Sequence, residues 1–241
     1  AATVVMKETI KPTLMQTIEG TPCFVHAGPF ANIAHGNSSI VADRIAVRLG
    51  DYVVTEAGFG ADIGAEKFFN IKCRASGLEP SAALLVCTVR ALKSHSGRFK
   101  IVPGKALPKA LLEEDLQSLA EGMSNLEKQI ENVRAHGLPV VVAINRFPTD
   151  TDAEHRAIQK AALAAGASGC EVSDVFTKGG EGGLAIARAI EKACDEGADF
   201  RHLYPLDAPV REKIETIAVR MYGADGVDYS EAAQGDIDRY E

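Results

Sequence analysis

The sequence predicts an α/β protein with an open, doubly wound, mainly parallel sheet and helices on both faces. Two observations carry this. Short, continuous apolar runs such as Ala82–Val89 and Pro139–Ile144 alternate with stretches whose apolar residues step by three and four. Runs that are apolar at every position suit strands covered on both faces, and strands alternating with helices form parallel βαβ units. In such sheets ligands sit at the carboxyl ends of the strands, so the residues just after each strand are the candidates for function.

Taken in order, residues 4–17 read as a helix bent or interrupted by Pro12. Cys23–His26 is a short strand. Ser38–Leu49 carries Ile40, Val41, Ile45 and Leu49 at helical spacing, with Asn37, Ser38 or Ser39 available as a cap. Tyr52–Thr55 reads as a strand, ended by Gly58, Gly60 and Gly64, and Ala65–Arg74 as a helix. After the Ala82–Val89 strand, residues 92–110 hold a basic cluster, two Pro and two Gly, and read as a long loop. Leu116, Leu119, Met123, Leu126, Ile130 and Val133 mark a helix that stops near Gly137. Pro139–Ile144 is a buried strand, Ala153–Ala165 a helix and Cys170–Ser173 a strand. Leu184–Ala193 and Val210–Met221 are helices, and an acidic, loosely helical tail follows Tyr222. The parallel sheet is expected to include Val53, Leu85 and Val142.

Composition narrows the function classes. The 241 residues are 46% hydrophobic and 24% charged, the profile of a globular chain of one large or two small domains. Asp and Glu outnumber Lys and Arg by 33 to 26, a net charge of −7, so no nucleic-acid partner is expected. No apolar run approaches the ~20 residues of a membrane helix, and the first residues lack a signal-peptide pattern. Of the five cysteines, the nearest pair, Cys73 and Cys87, are 14 positions apart. That spacing fits neither a CxxC metal site nor a disulfide scaffold, and a reducing, cytoplasmic setting with no structural metal is expected.

Five strand-end segments hold the candidate residues. His26–Ser39 packs His26, Gly28, Pro29, Asn32 and His35 between a strand and a helix start, where backbone N–H groups can hold an anion. The alternative is a structural turn with hydrogen-bonded histidines. Thr55–Phe69 places Glu56 at a strand end, where a carboxylate can accept a proton. Gly58, Phe59 and Gly60 follow, with room for close backbone approach to a ligand. The alternative is a solvated Glu beside a glycine turn. Arg90, Lys93, Arg98 and Lys100 can attract phosphates or carboxylates, or form a solvated basic loop. Asn145 ends a strand, but a guanine reader of the N-K-x-D type needs Asp where this chain has Pro148, so guanine specificity is disfavoured. Phe147, fixed by Pro148, puts a ring where ligands bind. Phe176 does the same after Cys170–Ser173, followed by a glycine run, Gly179–Gly183, that otherwise reads as a flexible linker. Neither GxxxxGK[ST] nor GxGxxG occurs, so the sequence contains no P-loop to grip a triphosphate.

KPTLMQTIEGTPCFVHAGPFANIAHGNSS, DYVVTEAGFGADIGAEKFFNIKCR, VVVAINRFPTDT, KGGEGG and LDAPVREKIETIAVRMYGADGVDYS occur in this order, and together they resemble formate–tetrahydrofolate ligase, also called 10-formyltetrahydrofolate synthetase. The likeness covers nearly the whole chain. It implies a P-loop-NTPase-like α/β fold and an enzyme of one-carbon metabolism. Such an enzyme uses ATP to join formate to tetrahydrofolate through formyl phosphate, with Mg²⁺, a monovalent cation and a homo-oligomeric state. Family members are roughly twice as long, with the P-loop upstream of the matched region. The resemblance therefore implies a portion of a ligase, a fragment or a split subunit, that is inactive without the remainder. Residues 1–137 would then belong to the nucleotide and formyl-phosphate side, and 138–241 to the folate side.

Carried over by motif, Phe147 and Pro148 match the folate-contacting turn, and Phe176 falls where the family usually has Trp. The two rings are expected to sandwich the pterin. Glu56, Phe59 and Gly60 fall on the formyl-phosphate side, and His26, Gly28, Pro29, Asn32, His35 and Gly58 on the nucleotide side. The chain departs from most relatives at Phe176 and at Ala27, where Gly is usual. A non-catalytic folate-binding or scaffold homologue is the alternative, and an unrelated nucleotide-binding α/β protein a third.

Overall fold

The computed structural model describes residues 1–26, 35, 37 and 39–241. The chain forms two compact units, Ala1–Leu78 and Glu79–Glu241.

In the first unit a short helix α1 (Ala2–Val5) precedes an antiparallel hairpin of β1 (Thr13–Gln16) and β2 (Pro22–Val25), in register Thr13↔Val25 to Gln16↔Pro22. The expected helix over 4–17 is therefore corrected. Pro12 lacks an N–H and biases the residue before it away from helix, so the chain beyond it extends instead. The hairpin closes where Thr17 N–H donates to Thr21 O, with Gly20 at φ 83°. Helix α2 (Ile40–Ala46) starts at Ser39, whose hydroxyl accepts from Ala42 N–H.

Tyr52–Thr55 forms no strand, contrary to expectation. Val53 and Val54 stay exposed, and among the described residues no neighbouring backbone supplies the ladder a strand requires. The expected helix at Ala65–Arg74 is present but wound in wide π-type turns, Gly60–Ala65 and Phe68–Cys73, ending in α3 (Arg74–Ser76) and left-handed Gly77.

The second unit is α/β with a three-stranded parallel sheet ordered β3 (Ala83–Cys87), β4 (Val140–Asn145), β5 (Gly169–Ser173). Leu85 pairs with Val142 and Val142 with Cys170, so two of the three expected sheet residues share one parallel ladder. β4 is buried at every position from Val140 to Ile144, as a central strand with both faces covered must be. β3 alternates instead: Leu84 and Val86 are exposed, which corrects the expectation of a strand covered on both faces.

Between β3 and β4 run α4 (Val89–Ser94), capped by the Thr88 hydroxyl, and the long α5 (Leu116–Arg134), capped by Asp115. The predicted loop at 92–110 thus begins inside α4. α6 (Asp152–Ala164) opens with a reciprocal capping box between Thr151 and Glu154. After β5 come α7 (Val175–Lys178), a tight turn over Gly179–Gly183, α8 (Leu184–Glu196), α9 (Val210–Tyr222) and α10 (Glu231–Tyr240). Leu119, Ile130, Val140–Ile144, Ile158 and Ala162, contributed by α5, α6 and β4, are among the most deeply buried apolar residues of this unit. Among the described residues no helix is long and apolar enough to cross a membrane.

Candidate functional site

Because β3, β4 and β5 are parallel neighbours, the residues after their carboxyl ends share one edge of the second unit. Thr88 and Arg90 follow β3, Arg146 to Pro148 follow β4, and Asp174 to Phe176 follow β5. The last two connections are tied together: Arg146 N–H donates to Ser173 O at 3.1 Å, and Arg146 Nη1 lies 3.8 Å from Asp174 Oδ2. Lys178 Nζ reaches the same carboxylate oxygen at 3.0 Å. Lys178, with help from Thr177 and Arg146, holds the Asp174 carboxyl below the usual carboxylate range.

Phe147 is set from two directions. Its N–H donates to Asp150 Oδ2 at 2.9 Å, closing the turn that Pro148 stiffens. Its half-buried ring lies under the Arg90 guanidinium, with Cζ 3.5 Å from the ring centroid. Phe176, by contrast, is 96% exposed. A large aromatic left in water just past a strand end is a ready stacking surface. The glycine run after it is not a slack linker. A Cβ on Gly182 would sit 2.4 Å from the Asp174 backbone, and Asp174 N–H donates to Gly182 O. Glycine is required there to fold the chain back on β5.

The proposed basic cluster is dispersed. Lys93 is buried against Glu154, Arg98 pairs with Glu121, Arg90 covers Phe147, and Lys100 is exposed. The reading of these four as one anion-attracting patch is corrected, because each head group but that of Lys100 is committed elsewhere.

In the first unit His26 bonds through Nδ1 to the Ser39 hydroxyl and through Nε2 to Thr9 O at 2.8 Å. Gly28, Pro29 and Asn32 lie outside the described residues, and His35 is half-buried. Asn37 is buried and donates to Thr55 Oγ1 at 3.0 Å and to Glu56 O, while its own Oδ1 has no partner among the described residues. That tie brings Asn37 to the Glu56 backbone. The Glu56 side chain is exposed. Gly58 and Gly60 take φ of 81° and 70°, a left-handed backbone that suits glycine, and Phe59 between them is 76% exposed. Gly64 packs so close to Ala57 O that a Cβ would lie 2.1 Å away.

Sequence reasoning named the rings and Pro148 but not their other supports. Asp150, three residues past Phe147, and Asp174, directly after β5, are visible in hindsight as short acidic residues in turns. The partnership of Arg90 with Phe147 spans 57 positions and leaves no local signal.

Comparison with known proteins follows the same lines. The family model described as formate–tetrahydrofolate ligase matches residues 1–241. The chain is 57% identical over 250 residues to formate–tetrahydrofolate ligase 3 of Rubrobacter xylanophilus, covering all of this chain and 44% of that protein. It is 58% identical over 241 residues to the formate–tetrahydrofolate ligase of Saccharopolyspora erythraea, covering all of this chain and 42% of that one. A third relative, from Chloroflexus aggregans, is 54% identical over 239 residues, 98% of this chain and 42% of its own length. The chain thus spans less than half the length of these relatives. With the whole chain matched and identity above one half throughout, it belongs to the formate–tetrahydrofolate ligase family.

Proposed function

We propose that this chain supplies the folate-holding wall of an ATP-dependent ligase that makes 10-formyltetrahydrofolate. The observation that carries the reading is the placement of Phe147 and Phe176 after adjacent parallel strands whose last residues, Asn145 and Ser173, are register partners. A pterin is flat, and two rings offered from neighbouring strand ends suit it. Phe176 stacks with less area than an indole and without its N–H.

In the reaction, a formate oxygen attacks the γ-phosphorus of ATP, and ADP leaves. The folate N10 amine then attacks the formyl carbon, phosphate departs, and the nitrogen loses its proton. This chain's part is to hold the folate so that the amine faces the acyl phosphate; positioning dominates such chemistry. Glu56, Phe59 and Gly60 line the formyl-phosphate side in this reading, and His26, Gly28, Pro29, Asn32, His35 and Gly58 the nucleotide side. The family's Mg²⁺ would neutralise phosphate charge and its monovalent cation would favour activity and assembly. Among the described residues no three His, Cys, Asp or Glu side chains are gathered to hold a metal.

The three-stranded sheet would form part of a doubly wound, P-loop-NTPase-like sheet. Residues 1–137 would serve the nucleotide side and 138–241 the folate side of a cytoplasmic homo-oligomer. The triphosphate-gripping loop, absent from this sequence, would come from the remainder of the ligase. Titration of tetrahydrofolate, kept anaerobic, into the chain and into Phe147→Ala and Phe176→Ala tests the reading. Either change is expected to weaken binding about tenfold or more while the melting temperature holds. Unchanged affinity would reject the sandwich. Formate-dependent ADP release by the chain alone is expected to be absent, and turnover at ordinary enzyme rates would reject the dependence on the remainder.

A further inference from the structure

We propose that Arg90 is the positioning residue of the folate site: it covers one face of Phe147, fixes the ring and leaves only the opposite face to the ligand. The inference rests on the folate reading of Phe147 and adds to it one residue, Arg90, from the 1–137 stretch otherwise assigned to the nucleotide side.

The guanidinium Cζ lies over the Phe147 ring, 3.5 Å from its centroid, well within the reach of a cation–π contact. Its Nε is sealed from water and, among the described residues, has no hydrogen-bond partner. Other cations near these strand ends are satisfied conventionally: Lys93 by Glu154, Arg98 by Glu121, Arg146 and Lys178 by Asp174. Arg90 instead commits its head group to a ring. A buried guanidinium N–H without an acceptor is costly, and the ring face is the compensation on view.

The supports of Phe147 divide the work. Asp150 and Pro148 fix the backbone of the turn, which leaves the side-chain torsions free. The guanidinium plane restrains the ring itself. Arginine suits this because its planar, weakly hydrated head stacks, whereas a lysine ammonium is a hydrated point charge. Covering one face has a second effect. A cation draws π-electron density toward itself, so the far face of Phe147 becomes a better partner for an electron-rich ring. A reduced pterin, with its amino-substituted pyrimidine, is such a ring.

The test uses the full chain with Arg90→Met and Arg90→Lys, each alone and with Phe147→Ala, and tetrahydrofolate as probe. Arg90→Met is expected to weaken binding about five- to thirtyfold, and Arg90→Lys to recover only part of that. In the Phe147→Ala background Arg90→Met is expected to change affinity no further, because its effect passes through the ring. Additive losses would overturn the proposal by making Arg90 a direct ligand contact.

A ligand-free arm separates this inference from the folate reading. The chain has no tryptophan, so Phe147→Trp introduces a single one that can be excited apart from the tyrosines, and acrylamide is expected to quench it more strongly once Arg90→Met uncovers its face. Equal quenching overturns the proposal even if folate binds. If Phe147→Ala and Phe176→Ala both leave affinity unchanged, the folate reading falls and takes the inference with it, whatever the quenching shows.

Discussion

The Lys93 ammonium lies 2.8 Å from the Glu154 carboxylate, and both side chains are shut away from solvent. The ammonium also donates to Glu113 O at 2.7 Å, and the carboxylate accepts from the N–H groups of Asp115 and Thr151. One ion pair thereby joins α4, the start of α5 and the start of α6. Lys93→Met leaves the carboxylate buried and uncompensated, and is expected to cost about 3–5 kcal/mol by urea unfolding.

The same pair predicts an acid limb. Burial pushes the Glu154 carboxyl up, but Lys93, Thr151 and Asp115 together outweigh it and hold the group below its ordinary 4.5. The folded state therefore binds the proton less readily than the unfolded one. The stabilisation is present above pH 4.5 and is lost as pH falls through the folded value. Urea midpoints of the parent should drop more steeply below pH 4.5 than those of Glu154→Gln.

His136 acts at higher pH. It is fully buried, bonded to Arg201 O at 3.0 Å, and burial lowers it from 6.5 to about 4. Below pH 6.5 the unfolded chain takes up a proton that the folded one refuses. Stability should thus fall by roughly 2 kcal/mol between pH 7 and pH 5. His136→Gln should flatten that slope, whatever it costs at pH 7. An unchanged slope would exclude the assignment.

Gly122 sits mid-helix in α5, where alanine normally stabilises by about 1 kcal/mol. Here the sign reverses. A Cβ would fall 1.8 Å from Leu92 O, so α4 and α5 would have to separate. Gly122→Ala is expected to destabilise by about 1–3 kcal/mol, read from the melting temperature.

The thiols should sort by burial. Cys23 is exposed, whereas burial pushes Cys87 and Cys170 up to about 12. A thiol-specific disulfide reagent should modify Cys23 in the native chain, and Cys87 and Cys170 only as the chain unfolds. Fast native labelling of Cys87 would contradict this.

The elements readable from sequence are those whose own residues carry the pattern. α5 announces itself through Leu119, Met123, Leu126, Ile130 and Val133, and β4 through five consecutive apolar residues, because burial demands those side chains in that order. Phe147 and Phe176 were equally visible, since a parallel strand delivers its next residues to one edge. Tyr52–Thr55 and Thr13–Gln16 misled for one reason. A short run shows what a strand needs on its faces but not whether another backbone lies alongside. The first run has no such neighbour among the described residues; the second pairs with Pro22–Val25.

By itself, then, the sequence determined the α/β class, the family and the two rings at the strand ends. Local periodicity, ordered motifs and turn residues are written along the chain. Only the tertiary structure decided which charges are committed and which face of a ring is free. Lys93 and Arg90 look alike as basic residues near a strand end, yet one is neutralised by Glu154, 61 positions away, and the other lies over the Phe147 ring. Coulombic and stacking energies depend on separations of a few ångströms in space, and packing sets those separations between residues that the sequence keeps far apart.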